Sequence, residues 1–143
     1  MPLPPKLART VRLFEGAPKD LKLQALLEFS RKVPPLPARY AEHPDALERV
    51  TECQTPFFLA ADVADDRRVS IAFDCPPEAP TTRGFAGILA DGLEGVSADE
   101  VLDVPDDFYL AMGLDEAVSA LRLRGMSAIM GRLKRQVREQ LAA

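Results

Sequence analysis

The side chains able to do nucleophilic or metal chemistry are few: Cys53, Cys75 and His43 are the only thiols and the only imidazole in the chain. Cys53 stands in Val50-Thr51-Glu52-Cys53-Gln54-Thr55-Pro56-Phe57-Phe58-Leu59, on a polar loop just ahead of an apolar strand. Loops on a rigid scaffold are where reactive groups are presented, and a thiolate is a strong nucleophile whose fraction follows local charge. Glu52 is adjacent and no Lys, Arg or His lies within three residues, so the local sequence predicts a thiol without an activator. Such a thiol suits chemistry that proceeds only once a partner supplies geometry or a base, whereas an isolated Cys is more often a small buried hydrophobe. Cys75 ends an apolar stretch before Pro76 and Pro77 and reads as a packing residue, with a resolving thiol for Cys53 as the alternative. His43, in a charged stretch before Pro44, reads as a surface residue. These groups, even with Asp74 as a fourth donor, lack the paired ligand spacing of a metal site, so no metal is expected.

The elements around them follow from pattern. Lys6 to Phe14 reads as a short helix ended near Gly16-Ala17-Pro18. Asp20 is a candidate N-cap for a helix to about Val33, with Leu23, Leu26, Leu27 and Phe29 as its apolar stripe. Pro34, Pro35 and Pro37 stop it. Residues 38–50 read as a short helix or loop. Phe57–Asp62 and Val69–Phe73 read as a hairpin around Asp65-Asp66-Arg67-Arg68. After an irregular Cys75–Pro80 segment, Thr81 or Thr82 should cap a helix through Leu93, with Phe85, Ile88 and Leu89 inward, broken by Gly92 and Gly95. Ser97-Ala98-Asp99-Glu100 is a capping box opening a helix to about Leu102. Another is expected from Pro105 through Met112, ended by Gly113, and a final basic helix from Leu121 to Leu141 with Ile129, Leu133 and Val137 on one face. Arg122 and Arg124 fall at its start, where the helix dipole disfavours cations; each is expected to meet a carboxylate or a partner. The order of helices, hairpin and helices predicts an α+β fold with a small antiparallel β-sheet packed against helices.

Composition narrows the function classes. With 143 residues one domain is expected, spanning 1–143. No apolar run approaches about 18 residues, so no membrane span is expected. The N-terminus has no apolar signal region, and two cysteines make no disulfide framework, so a reducing cytoplasm is the default compartment. The net charge of −4 is divided sharply: residues 1–41 carry +5, residues 42–116 carry −14 and residues 117–143 carry +5. The acidic middle argues against nucleic acid, whose phosphates need cations. It suits either a solvated face or docking on a basic protein surface.

Five motifs in this order resemble the SufE family of sulfur-acceptor proteins. Pro34-Pro35-Leu36-Pro37 is similar to the family's LPxLP segment. Glu52-Cys53-Gln54-Thr55 resembles its GCQS loop. Glu78-Ala79-Pro80-Thr81-Thr82-Arg83-Gly84 resembles the segment opening its middle helix. Phe108 to Leu114 is similar to its Phe…Gly-Leu stretch, and Leu121-Arg122-Leu123-Arg124-Gly125 resembles the SRxxG start of its last helix. Together they cover about residues 19–138. Glu52 stands where Gly is usual, Pro-Glu-Ala-Pro where Ser-Asp-Ala is usual, and Leu121 where many members have Ser.

The resemblance implies a fold similar to the IscU-type scaffold, with Cys53 as persulfide acceptor. It assigns Glu52, Gln54, Glu78, Arg83 and Arg122 to loop support or partner binding. It also implies partners: a cysteine desulfurase of the SufS kind, which the chain stimulates and whose pyridoxal phosphate is the desulfurase's own cofactor, and an iron–sulfur scaffold of the SufBCD kind. The chain itself would hold no cofactor and would act as a sulfur carrier, not a stand-alone enzyme. A thiol redox protein using Cys53 and Cys75, a desulfurase-binding activator without sulfur transfer, and an iron–sulfur scaffold are the rival expectations. Monomer and dimer are both left open.

Overall fold

A computed structural model describes residues 3–143. Helix α1 (Pro5–Glu15) and helix α2 (Lys19–Ser30) precede a proline-rich stretch, helix α3 (Ala38–Glu42) and a two-residue strand β1 (Glu48–Arg49). Strands β2 (Phe58–Val63) and β3 (Val69–Asp74) follow, then helices α4 (Pro80–Leu93), α5 (Ala98–Asp103) and α6 (Ala120–Ala142). The sheet is antiparallel in the order β1-β2-β3. Leu59 pairs with Glu48 on one side and Phe73 on the other. This is the α+β architecture that the element order predicts.

Period-two alternation sorts the sheet's side chains. Leu59, Ala61, Val69, Ile71 and Phe73 enter the main core, with α4 and α6 above them. Ala60 and Ala72 face the other way, under Tyr40 and Leu47. β1 covers only the start of β2. Beyond it, two glutamines of α6 take the place of a strand: Gln136 Oε1 accepts from the Ala61 amide at 2.7 Å, and Gln140 accepts from the Val63 amide at 2.8 Å while donating to the Ala61 carbonyl at 2.7 Å. Polar groups on an uncovered strand edge need such partners, and they bind α6 to the strand that follows the Cys53 loop.

Several local expectations are corrected. Asp20 is not an N-cap. Pro18 holds that position with no side-chain cap, and Asp20 lies in the first turn. The stripe of α2 is narrower than expected: Leu26 and Phe29 are buried, whereas Leu23 and Leu27 are 39% and 42% exposed. Only one flank of α2 is covered, because Gly84 and Gly87 let α4 approach it closely there. A Cβ on Gly84 or Gly87 would collide with the backbone carbonyl of Leu26 or Phe29 respectively. Neither Thr81 nor Thr82 caps α4, whose N-cap position is Ala79, with Pro80 first in the helix and Thr82 buried within it. Gly92 does not break α4; it is buried inside the helix where Leu7 of α1 presses against it. Gly95 makes the turn, at φ +74°.

The capping box at Ser97 is half formed. Ser97 accepts from the Glu100 amide at 3.3 Å, while the Glu100 carboxylate takes the Ser97 hydroxyl at 3.0 Å instead of the backbone amide. The helix expected over Pro105–Met112 is reduced to a 3-10 turn at Phe108–Leu110, and a second 3-10 turn follows Gly113 at Leu114–Glu116. Tertiary contacts decide this segment. Phe108 stacks on Phe85 with centroids 5.5 Å apart, Tyr109 Oη meets Ser127 Oγ at 2.6 Å, and Lys134 donates to the Val104 carbonyl at 2.8 Å. Within 38–50 a short strand replaces part of the expected helix or loop, since two residues cannot display an alternation.

Candidate functional site

Cys53 lies on the loop joining β1 to β2. The Val50 amide donates to the Phe57 carbonyl at 2.8 Å, closing the neck of the loop, and the Cys53 amide turns back to the Val50 carbonyl at 3.2 Å. Val50 and Phe57 are fully buried, and Phe57 meets Phe73 edge-on at 5.7 Å, so the neck is rooted in the core. The polar tip is thereby set above the start of α6. That helix begins at Ala120, capped by the Ser119 hydroxyl, which accepts from the Arg122 amide. The thiol rests on Gly125, where an added Cβ would stand 3.2 Å from Cys53 Sγ.

Cys53 is half-buried at a cleft of about 30 Å³, lined also by Glu52, Gln54, Thr82, Leu121 and Arg122. A space of that size admits one or two water-sized groups. Burial is the main reason the Cys53 thiol is pushed up to about 11; Glu52 pushes it the same way and Arg132 opposes. The resting species at neutral pH is the thiol, in line with the acidic neighbour seen in the sequence.

The sequence contained no cation near Cys53, but the fold brings one. Arg132 of α6 pairs with Glu52 at 2.7 Å and with Glu48 at 3.2 Å, and donates to Thr51 Oγ1 at 3.3 Å. Glu48 is also held by Arg135 and by Gln136 at 2.9 Å. Burial pushes the Glu48 carboxyl up, but Gln136, Arg135 and Arg132 outweigh it and hold it below the usual range. Arg132 therefore serves the two carboxylates and touches the thiol only through its field. Nothing local marks it, because only the return of α6 over the sheet brings it to the loop.

The residues assigned by resemblance fall into two groups. Glu52, Gln54 and Arg122 gather with Cys53 at the cleft. Arg83 does not join them: its Nε donates to the Ser30 carbonyl at 2.9 Å and its Nη1 to the Cys75 carbonyl at 2.7 Å, tying the end of α2 to the end of β3. Glu78 is exposed on the turn before α4. Arg122 and Arg124 are not buried, and neither has a carboxylate within 4.0 Å among the described residues. Cys75 is 7% exposed, packed in the main core with Arg83 Nη1 at 3.7 Å from its sulfur. Its thiol is raised by burial, with Arg83 opposing. His43 is exposed, and among the described residues no three His, Cys, Asp or Glu side chains converge to hold a metal ion. No described helix is long and apolar enough to cross a membrane.

The SufE family model, described as an Fe-S metabolism associated domain, matches residues 8–137. The chain belongs to the SufE family. Among its SufE relatives, an uncharacterised SufE-like protein of Mycobacterium tuberculosis is 50% identical over 137 residues, 96% of this chain and 94% of that protein. The cysteine desulfuration protein SufE of Plasmodium vivax is 30% identical over 135 residues; the match takes 92% of this chain and 52% of that longer protein. The solution structure of a hypothetical protein from Thermus thermophilus superposes with a TM-score of 0.85 at 49% identity, over 99% of this chain and all of that one. The SufE likeness thus spans the same stretch that contains the β1–β2 loop and the start of α6.

Proposed function

We propose that this SufE protein is a sulfur carrier that accepts persulfide sulfur on Cys53 from a cysteine desulfurase, stimulates that enzyme, and passes the sulfur on for iron–sulfur cluster assembly. The observation that carries the reading is the half-buried Cys53 thiol on a rooted loop, beside a cleft with room for one further sulfur atom. Family membership and the relatives named for cysteine desulfuration support it.

Transfer is a thiol–disulfide type exchange. Cys53 loses its proton, and the thiolate attacks the outer sulfur of the donor's Cys–S–SH group. A new S–S bond forms on Cys53, the donor's S–S bond breaks, and the donor thiolate leaves and takes up the proton. The products are Cys53–S–SH and the donor thiol, with no net oxidation. With its thiol raised to about 11, Cys53 is mostly protonated at neutral pH, so alignment in the docked complex carries much of the rate. Pyridoxal phosphate belongs to the donor. Glu52, Gln54 and Arg122 at the cleft rim are the groups a docking desulfurase meets first, and Glu78 and Arg83 support the neighbouring segment.

Intact mass spectrometry after incubation with a cysteine desulfurase, pyridoxal phosphate and cysteine tests the reading. A gain of one sulfur mapped to Cys53 is expected. A Cys53→Ser chain that still stimulates alanine formation in full would overturn it in favour of a pure activator.

A further inference from the structure

We propose that Arg132 is a positioning residue that clamps the Cys53 loop shut through Glu52 and Thr51, holding the thiol parked on Gly125 until the clamp is opened. The inference rests on the reading of Cys53 as the acceptor and deepens it.

All three guanidinium nitrogens are engaged. Nε meets Glu48 at 3.2 Å, Nη1 meets Glu52 at 2.7 Å and Nη2 donates to Thr51 Oγ1 at 3.3 Å. Glu48 is on β1, and Arg135 and Gln136 also hold it, so that end of the guanidinium is anchored to the sheet. Thr51 and Glu52 are loop residues with no such anchorage, and a planar fork joins them to the anchored side. One residue further on, the thiol lies against Gly125, two turns before Arg132 on the same helix. Opening the loop therefore means parting Glu52 from Arg132, while β1 stays held. The arrangement depends on Glu52 being an acid.

The clamp and the field of Arg132 act on Cys53 in opposite directions, which makes them separable. As a nearby cation, Arg132 favours the thiolate. As a clamp, it restricts access to the sulfur. Alkylation of Cys53 by iodoacetamide, an uncharged probe, is followed by peptide mass on the full chain at constant pH with no desulfurase present. The outcome is thus independent of whether Cys53 accepts sulfur.

R132Q is expected to raise the rate about five-fold, the range an exposed ion pair commands, and R132K to stay within about two-fold of the wild type. Raising NaCl from about 0.05 M to about 1 M should speed the wild type but not R132Q, since salt screens the pair. An R132Q rate equal to or below the wild type overturns the proposal, as does R132K reacting as fast as R132Q. Should R132Q fail to fold, E52Q decides by amide hydrogen exchange over residues 51–55: faster exchange at unchanged melting temperature supports the clamp, and unchanged exchange overturns it.

Discussion

Cys53 and Cys75 are the chain's two thiols, and they sit in opposite circumstances. Cys75 is in the core, with a guanidinium directly on its own carbonyl and close to its sulfur. Cys53 is half-buried on a loop at a cleft, and Arg132, the cation whose field reaches it, is engaged by Glu52. A search for an activated cysteine by its charge partner would therefore choose Cys75. Access argues for the other. The guanidinium of Arg83 joins backbone carbonyls of α2 and β3, a structural task, while Cys53 is placed where another protein can reach it. Burial raises both thiols, so a neighbouring guanidinium does not activate Cys75, and the accessible Cys53 fits a thiol whose chemistry is completed by a partner.

The largest test of that contrast is to delete each sulfur in turn. Cys53→Ser should lose sulfur uptake completely, measured by intact mass after desulfurase treatment, while Cys75→Ser should still gain one sulfur. Uptake that fails only in Cys75→Ser would reverse the comparison.

The pH profile of Cys53 alkylation comes next. With the thiol at about 11, the thiolate fraction, and with it the rate, should rise about tenfold per pH unit. That is roughly a hundredfold between pH 7 and pH 9, with no plateau below about pH 10. Glu52→Gln removes an anion that raises the thiol, so its profile should shift to lower pH. A plateau near neutral pH would show that the folded loop activates Cys53 without a partner.

Arg83→Leu should cost about 2 kcal/mol, the usual loss for hydrogen bonds made by a charged group. A lower urea midpoint with unchanged slope would report it. Cys53 alkylation in that variant should stay within about two-fold of the wild type; a larger change would mean Arg83 serves the acceptor loop as well.

Gly125→Ala is the mildest test. The new methyl would lie 3.2 Å from Cys53 Sγ, so the thiol must shift by a few tenths of an ångström. About a two-fold change in alkylation is expected at nearly constant stability. No change would show that the sulfur does not rest on α6 in solution.

Elements with a strong local signal were legible from residue types alone. The hairpin shows as two short apolar stretches around the polar turn Asp65-Asp66-Arg67-Arg68, and the α6 face of Ile129, Leu133 and Val137 is buried as its spacing predicts. Elements without one were not. β1 is too short to show a period, and the segment after Pro105 follows Phe85, Ser127 and Lys134, not its own propensity. Gly92 reads as a breaker because sequence gives its helix cost but not the Leu7 side chain that requires it.

The candidate site divides in the same way. The motif Glu52-Cys53-Gln54-Thr55, the acidic neighbour and the matching Arg122 and Gly125 are all local. They were enough to point to the candidate acceptor, its loop and the lack of a local activator, while the burial that raises the thiol most came from the fold. The separation of Arg83 from the cleft, the burial of Cys75 and the arrival of Arg132 at Glu52 were decided only by tertiary structure. Local charge and spacing determine what a residue is able to do, but burial and ion pairing depend on which distant segment packs over it, and here that segment is α6 crossing the sheet.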